Sequence, residues 1–448
     1  MSAELRIVTT NDFYGSYFER PTSYGKQPGA RSLVNAVNRL REEVPNSLWV
    51  DDGDFAQGGP LAPASDGTYG FAAVAELGID VSAIGNHEFD WGEAHLRRWS
   101  QEPGFPLLAA NYEIGLAANV VLSAGPFAVA VIGLTHPGVG QFNDSLTQRQ
   151  PDSAQLVAPL ARQLREGGAD VVIVAIHDGV DWTTSQEGPL KIDVSRIERF
   201  CASIADDVDA VIGGHSLGRY IGELGGIPFV QPWAFGAEVG VLDRDADGSW
   251  SVRGMMLEED IDWEGAGSGV HADLQAEMVG ETPKSLIVRP HHSISLAEGM
   301  AQGMAKTVGA DVSIVFPQQL QTMQSPIDGA FAYLAGGPVT EADVLRVIPF
   351  VGEAVCQDIF VCEVTEAELE GLLSAASGER PTDVDVALSP ETWGGPAVAR
   401  RNGSNGLLSL AMASLYSERE LAERWIGRAP EWERSRFDLR DALRAGVA

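Results

Sequence analysis

Asp170-Val171-Val172-Ile173-Val174-Ala175-Ile176-His177 is the stretch on which the fold turns. Its β-branched apolar run is too short for a helix and reads as a buried strand, with an imidazole directly after it. On either side, 154–166 and 192–205 carry the spacing of amphipathic helices. The next strand, 209–212, is closed by Gly213-Gly214-His215. The same alternation runs back towards the start. Residues 5–10, 47–51, 80–84 and 127–134 read as strands, and 30–43 and 71–77 as helices; Leu33, Val37 and Leu40 form one stripe of the first helix. Apolar strands alternating with amphipathic helices predict an α/β domain.

The polar residues are placed with a second regularity. Asp12, Asp54, Asn86, His177 and His215 each follow the carboxyl end of a predicted strand. That edge is where α/β folds gather side chains from several strands into one site. The five are oxygen and imidazole donors suited to Zn, Mn, Fe or a similar divalent ion. His87 and Asp90 follow Asn86 in Gly85-Asn86-His87-Glu88-Phe89-Asp90, a setting that favours proton-transfer chemistry for His87. Asp52 is placed to support a ligand from behind. His136, in Thr135-His136-Pro137-Gly138, reads as a loop residue.

The chain has 448 residues, more than one core usually holds. The expected division is a first domain over 1–255, an acidic, Gly-rich linker over 256–289 and a second α/β domain over 290–448. In the second domain, 294–308, 340–348 and 366–377 read as helices, 311–316 and 354–364 as strands, 378–406 as a long loop and 407–443 as mostly helical. Lys and Arg total 31 against 63 Asp and Glu, a net charge of −32. Such a chain cannot neutralise a phosphate polymer, which argues against nucleic acid as a partner. No run approaches the length of a membrane span, and no basic segment followed by an apolar one opens the chain, so a cytoplasmic protein without a membrane partner is expected. Cys201, Cys356 and Cys362 have no metal-binding spacing and suit a reducing compartment. The oligomeric state is not legible.

The order Asn11-Asp12, Gly53-Asp54, Gly85-Asn86-His87-Glu88, His177, Gly214-His215 resembles that of the calcineurin-like metallophosphoesterases, and within them the 5′-nucleotidase group. The resemblance implies a four-layered α/β/β/α domain followed by a smaller α/β domain of the 5′-nucleotidase C-terminal type. It implies divalent metal ions as cofactor, with one position built from Asp54, Asn86, His177 and His215 and a second sharing Asp54 and adding Asp12. It also implies His87 as acid/base group oriented by Asp90, Asn111 as a phosphate contact, and a small phosphorylated substrate such as a nucleotide.

Two departures bear on what the site does. Where the family opens with Asp-x-His, this chain has Asp12-Phe13-Tyr14; where it closes with Gly-His-x-His, this chain has Gly214-His215-Ser216-Leu217. Both missing imidazoles belong to the position that uses Asp12. Leu217 cannot ligate, and Tyr14 is a candidate ligand only as a phenolate on a hard ion such as ferric iron. The expectation is one tightly held ion of Mn, Zn or Fe beside an altered second position. In the second half, 316–321 stands where the family has an Asn-Gly-Gly-x-Arg segment, which removes the expected substrate-holding Arg. The leading reading is hydrolysis of a small phosphoester. A changed reaction at one metal, and a non-catalytic binding descendant, are the alternatives.

Overall fold

A computed structural model of the chain describes residues 3–447 except 24, 102–103, 142–145, 147–150, 184–190, 259–260, 289–292, 316–331, 349–357, 379–396, 401–406, 414–422 and 424–425. Two six-stranded sheets organise the first half. One has the order Trp250–Met256, Glu238–Arg244, Leu5–Thr10, Ser47–Asp51, Val81–Ala83, Leu107–Leu108; the other Tyr220–Leu224, Ile227–Gln231, Ala210–Gly213, Val171–Ile176, Phe127–Leu134, Asn119–Ala124. Leu5, Ile7 and Val50 of the first sheet meet Val129, Val131, Val171 and Ile173 of the second in a common core. On the outer face of the first sheet, Val8 and Trp49 pack on Leu33, Val37 and Leu40 of the helix Ala30–Glu43. On the outer face of the second, Val172, Val174 and Val211 pack on the helices Ser153–Glu166 and Ser195–Ile204. Four layers, α/β/β/α, follow from these three cores, as the side-chain alternation of strands requires.

The parallel pairings bring strand ends together. Leu5–Thr10 runs parallel to Ser47–Asp51, which runs parallel to Val81–Ala83; Val171–Ile176 runs parallel to Phe127–Leu134 and to Ala210–Gly213. Asp12, Asp54, Asn86, His177 and His215 therefore leave both sheets at the same edge.

The second half is built on a five-stranded sheet in the order Ala397–Arg400, Val312–Val315, Leu408–Ala413, Asp358–Val364, Glu433–Asp438. Helices Ser295–Val308 and Leu439–Val447 cover one face, and Leu369 and Leu372 of the helix Glu366–Gly378 cover the other. This corrects the expectation of a mostly helical stretch over 407–443. Leu408–Ala413 is a central strand, Glu433–Asp438 an edge strand, and Leu439–Val447 a helix. Leu, Ala and Met favour helices in isolation, but here pairing with strands on both sides decides the conformation. The stretch 256–289 also carries regular structure. It contains the helix Ser268–Ala276 and the strands Met278–Thr282 and Leu286–Val288, which pair with Gly337–Thr340 and Ala332–Leu334. The segment 316–321, Cys356, His291, His292 and most of 378–406 lie outside the described residues. No helix of the described residues is long and apolar enough to cross a membrane.

Candidate metal centre

The site begins with backbone conformation. Asp12, Tyr14, Asp54, His215, Leu217 and Phe235 have φ between 49° and 71°; Asp66 is the other described non-glycine residue in that left-handed region. Such conformations cost roughly 1–3 kcal/mol each for non-glycine residues and gather where a site is being held. Glycines supply the closeness. A Cβ on Gly85 would lie 2.0 Å from Asp54 Oδ1, and one on Gly53, whose φ is +88°, would lie 2.3 Å from the Gly85 nitrogen. Two strand-end loops thus touch at a point where neither tolerates a side chain.

Glu88 locks these loops. Its buried carboxylate accepts N–H bonds from Asp54 at 2.9 Å, Phe55 at 3.0 Å and Gly85 at 2.7 Å. Burial pushes its pKa up, to about 7. The quoted motif contained Glu88, but a carboxylate binding main-chain N–H groups of two loops leaves no periodic signal in sequence.

The four expected donors converge. His215 Nδ1 lies 2.7 Å from Asn86 Oδ1. His177 Nε2 lies 2.9 Å from Asp54 Oδ2 without the alignment of a hydrogen bond. Ligand atoms of Asp54, His177 and His215 all lie within 4.8 Å of one another. His177 Nδ1 is 2.5 Å from the main-chain oxygen of Asp52, which makes Nδ1 the donor and turns Nε2 inward. Asp52 therefore supports the site through its carbonyl. His87 N donates to Asp54 Oδ1 at 2.9 Å and fixes that carboxylate.

Several buried polar atoms have no hydrogen-bond partner among the described residues: Asp12 Oδ1, both carboxylate oxygens of Asp52 and His177 Nε2. Buried polar groups are almost always satisfied, so this concentration marks a place that fits a cation. Burial raises the Asp52 carboxyl and lifts Asp12 to about 7. For Asp54 burial acts in the same direction, but His177 and His87 outweigh it and hold the carboxyl low. A divalent ion bound there would supply the charge that these acids need in order to stay ionised together.

Beside this cluster, His87 Nδ1 is 2.7 Å from Asp90 Oδ2, and Gln57 Nε2 donates to the same oxygen at 2.5 Å. Burial disfavours the charged imidazole, but Asp90 and then Asp54 overcome it and lift His87 to about 9. His136 also reaches the site. Its ring lies 4.0 Å, centre to centre, from that of His215, and its Nδ1 accepts the Gly138 N–H at 2.9 Å. Burial lowers His136 to about 4. Its position after the strand Phe127–Leu134 follows the same strand-end rule as the other donors.

Asp12 is in place, 3.9 Å from His177 Nε2, with Oδ2 accepting from Asn11 Nδ2 and the His215 N–H. Tyr14 takes a different part. Its hydroxyl donates to Asp54 Oδ2 at 2.8 Å, and its ring packs with Leu217, Ala234 and Phe235. Burial, then the charges of Asp54 and Asp12, push its pKa well above 10 and keep it a phenol. The two positions that lack histidine are thus joined in one small apolar cluster. Asn111 bonds the main chain of Thr135 at both ends of its amide, Nδ2 to the carbonyl at 2.8 Å and Oδ1 from the N–H at 2.9 Å. It pins the loop that leads to His136.

Fold and donor set together define a metallophosphoesterase of the 5′-nucleotidase group. Residues 5–219 match the family model for calcineurin-like phosphoesterases, and this part of the chain belongs to that family. It is 27% identical over 296 residues to a 5′-nucleotidase of Bos taurus, covering 56% of this chain and 48% of that protein. It is 24% identical over 326 residues to a 2′,3′-cyclic-nucleotide 2′-phosphodiesterase/3′-nucleotidase of Salmonella typhimurium, covering 62% and 49%. The chain thus spans about half the length of these curated relatives. The crystal structure of a 5′-nucleotidase precursor from Thermus thermophilus superposes with a TM-score of 0.71 at 17% identity, over 99% of this chain and 96% of that one, which shows the shared two-part fold.

Proposed function

We propose that the protein hydrolyses a small phosphoester, a nucleotide or another phosphorylated metabolite, with one divalent metal ion held by Asp54, Asn86, His177 and His215. The observation that carries this reading is the convergence of those donors from four strand ends, with His215 and Asn86 at 2.7 Å and His177 and Asp54 at 2.9 Å. Separations near 3 Å suit neighbouring ligands on an ion bound at about 2.0–2.2 Å. A divalent ion bound there polarises phosphoryl oxygens and lowers the pKa of water. His87 supplies the proton. Asp90 holds its Nδ1, so Nε2 is the atom that delivers a proton to the leaving oxygen as the P–O bond breaks. Gln57 keeps Asp90 in place. The names of the curated relatives favour nucleotide esters among the substrates.

The single-ion form of this reading is favoured by Tyr14 and Leu217. Their apolar cluster with Phe235 fills the neighbourhood of the second family position, where an imidazole pair is expected. With one side of a two-metal clamp missing, slower or altered chemistry follows. Replacing His87 with Ala tests the assignment. Loss of phosphoester turnover with retained metal supports it, and undiminished turnover refutes it.

A further inference from the structure

Six carboxylates are buried between residues 12 and 90: Asp12, Asp51, Asp52, Asp54, Glu88 and Asp90. Five of them are held by donors. Asp51 accepts from the Thr10 hydroxyl at 2.7 Å, the Ser82 hydroxyl at 2.8 Å and the Gly53 N–H at 3.0 Å. Glu88 accepts its three main-chain N–H bonds, and Asp54 accepts from the His87 N–H and the Tyr14 hydroxyl. Asp90 holds His87 and Gln57, and Asp12 Oδ2 takes Asn11 Nδ2 and the His215 N–H. Asp52 is the exception. It is 0% exposed, and neither of its carboxylate oxygens has a hydrogen-bond partner among the described residues. A carboxylate buried without a donor or an opposite charge costs several kcal/mol.

The main chain of Asp52 is fixed between the two sheets: its N–H donates to the Thr10 carbonyl at 3.0 Å, and its carbonyl accepts from His177 Nδ1. Successive side chains of an extended chain point to opposite sides. Asp51 turns to Thr10 and Ser82, and Asp52 turns to Gly214. A Cβ on Gly214 would lie 2.9 Å from Asp52 Oδ2, 3.1 Å from Asp12 Oδ2 and 3.2 Å from Asn11 Cβ. Only glycine lets these three side chains close on that point. Asn11, 1% exposed, donates Nδ2 to Asp12 Oδ2 at 2.6 Å, and its Oδ1 has no hydrogen-bond partner among the described residues. Asp52 is not one of the group Asp54, His177 and His215, whose ligand atoms lie within 4.8 Å of one another.

We propose that Asp52, with the side-chain oxygens of Asn11 and Asp12, binds a monovalent metal cation, sodium or potassium, beside the divalent centre. The donors are all oxygen, the set that hard cations select. The charge sets the valence. A divalent ion offsets Asp12 and Asp54, His87 offsets Asp90, and Asp52 adds one further negative charge. A monovalent ion leaves the divalent-metal stoichiometry at one per chain, and the site does not depend on which ester is hydrolysed.

The test is thermal melting of the full chain, saturated with Mn, at one ionic strength in sodium, potassium or tetramethylammonium chloride. Screening of surface charge depends on ionic strength and is the same in all three. A Tm higher by about 2 °C or more in sodium or potassium chloride, saturating with concentration, is expected, and the two arms tell the ions apart. Asp52→Asn keeps the side chain's shape, removes its charge and abolishes the preference; Asp247→Asn, at an exposed acid, retains it. Asn11→Ala removes one oxygen without touching the charge and weakens the preference, which decides the matter if Asp52→Asn does not fold. Equal Tm values in the three salts mean that a proton neutralises Asp52 and overturn the proposal. A preference undiminished in Asp52→Asn, or in Asn11→Ala where that variant alone folds, overturns it too.

Discussion

His87 and Tyr14 meet edge to face, 5.5 Å between ring centres, and their chemistry differs because their partners differ. Asp90 stabilises positive charge on one; burial beside Asp54 keeps the other neutral. His87→Gln is expected to lower kcat by about 10²–10⁴-fold, the usual worth of a positioned proton donor. Asp90→Asn is expected to have a smaller effect, measured by steady-state kinetics at fixed metal. Tyr14→His combined with Leu217→His returns two imidazoles to the altered position and is expected to raise bound metal from about one to about two ions per chain. Elemental analysis of the double variant checks this. His271, away from the metal donors, gives a pH prediction. Burial lowers its pKa to about 4 from an ordinary 6.5. Above pH 6.5 the ring is neutral both folded and unfolded. Between 6.5 and 4 only the unfolded chain takes up the proton, so the melting temperature falls as pH drops through that window. His271→Phe keeps a ring against Phe18 and is expected to flatten this slope in thermal melts.

At the scale of elements, the centre depends on two loops that meet at Gly85. Gly85→Ala places a methyl group in the space of Asp54 Oδ1 and is expected to destabilise the fold by a few kcal/mol, roughly as other overpacked sites do, and to weaken metal retention. Denaturant unfolding and dialysis against a chelator measure the two effects. Elements of this kind were legible in the sequence wherever a strand is apolar throughout. Phe127–Leu134 and Val171–Ile176 are bounded by turn or polar residues and admit one reading. The meeting of Asp54, Asn86, His177 and His215 was legible for the same reason, since parallel strands deliver their ends to one edge. Leu408–Ala413 was not legible. Its alternation is weak, and only pairing with Val312–Val315 and Asp358–Val364, far away in sequence, makes it a strand. The clamp by Glu88, the support from the Asp52 carbonyl and the approach of His136 were also hidden. Each depends on distances between loops, which no spacing along the chain encodes.

At the scale of the whole molecule, the net charge of −32 repels phosphate polymers at long range. The stacked pair of Phe18 and His271 ties the first half to the helix Ser268–Ala276, and Arg346 ties the strand Ala332–Leu334 to the helix Glu341–Val347. A cavity lined by Tyr14, Phe18, His271 and Arg346 thus belongs to both halves, which the sequence alone, read as two domains and a linker, did not reveal. The central claim is that four donors hold a single ion while the neighbouring position is filled by Tyr14 and Leu217. Metal-to-protein stoichiometry on the full chain tests it most directly. One ion per chain, lost on His177→Ala, is predicted; two tightly held ions per chain, or retention of the ion in that variant, would contradict the account.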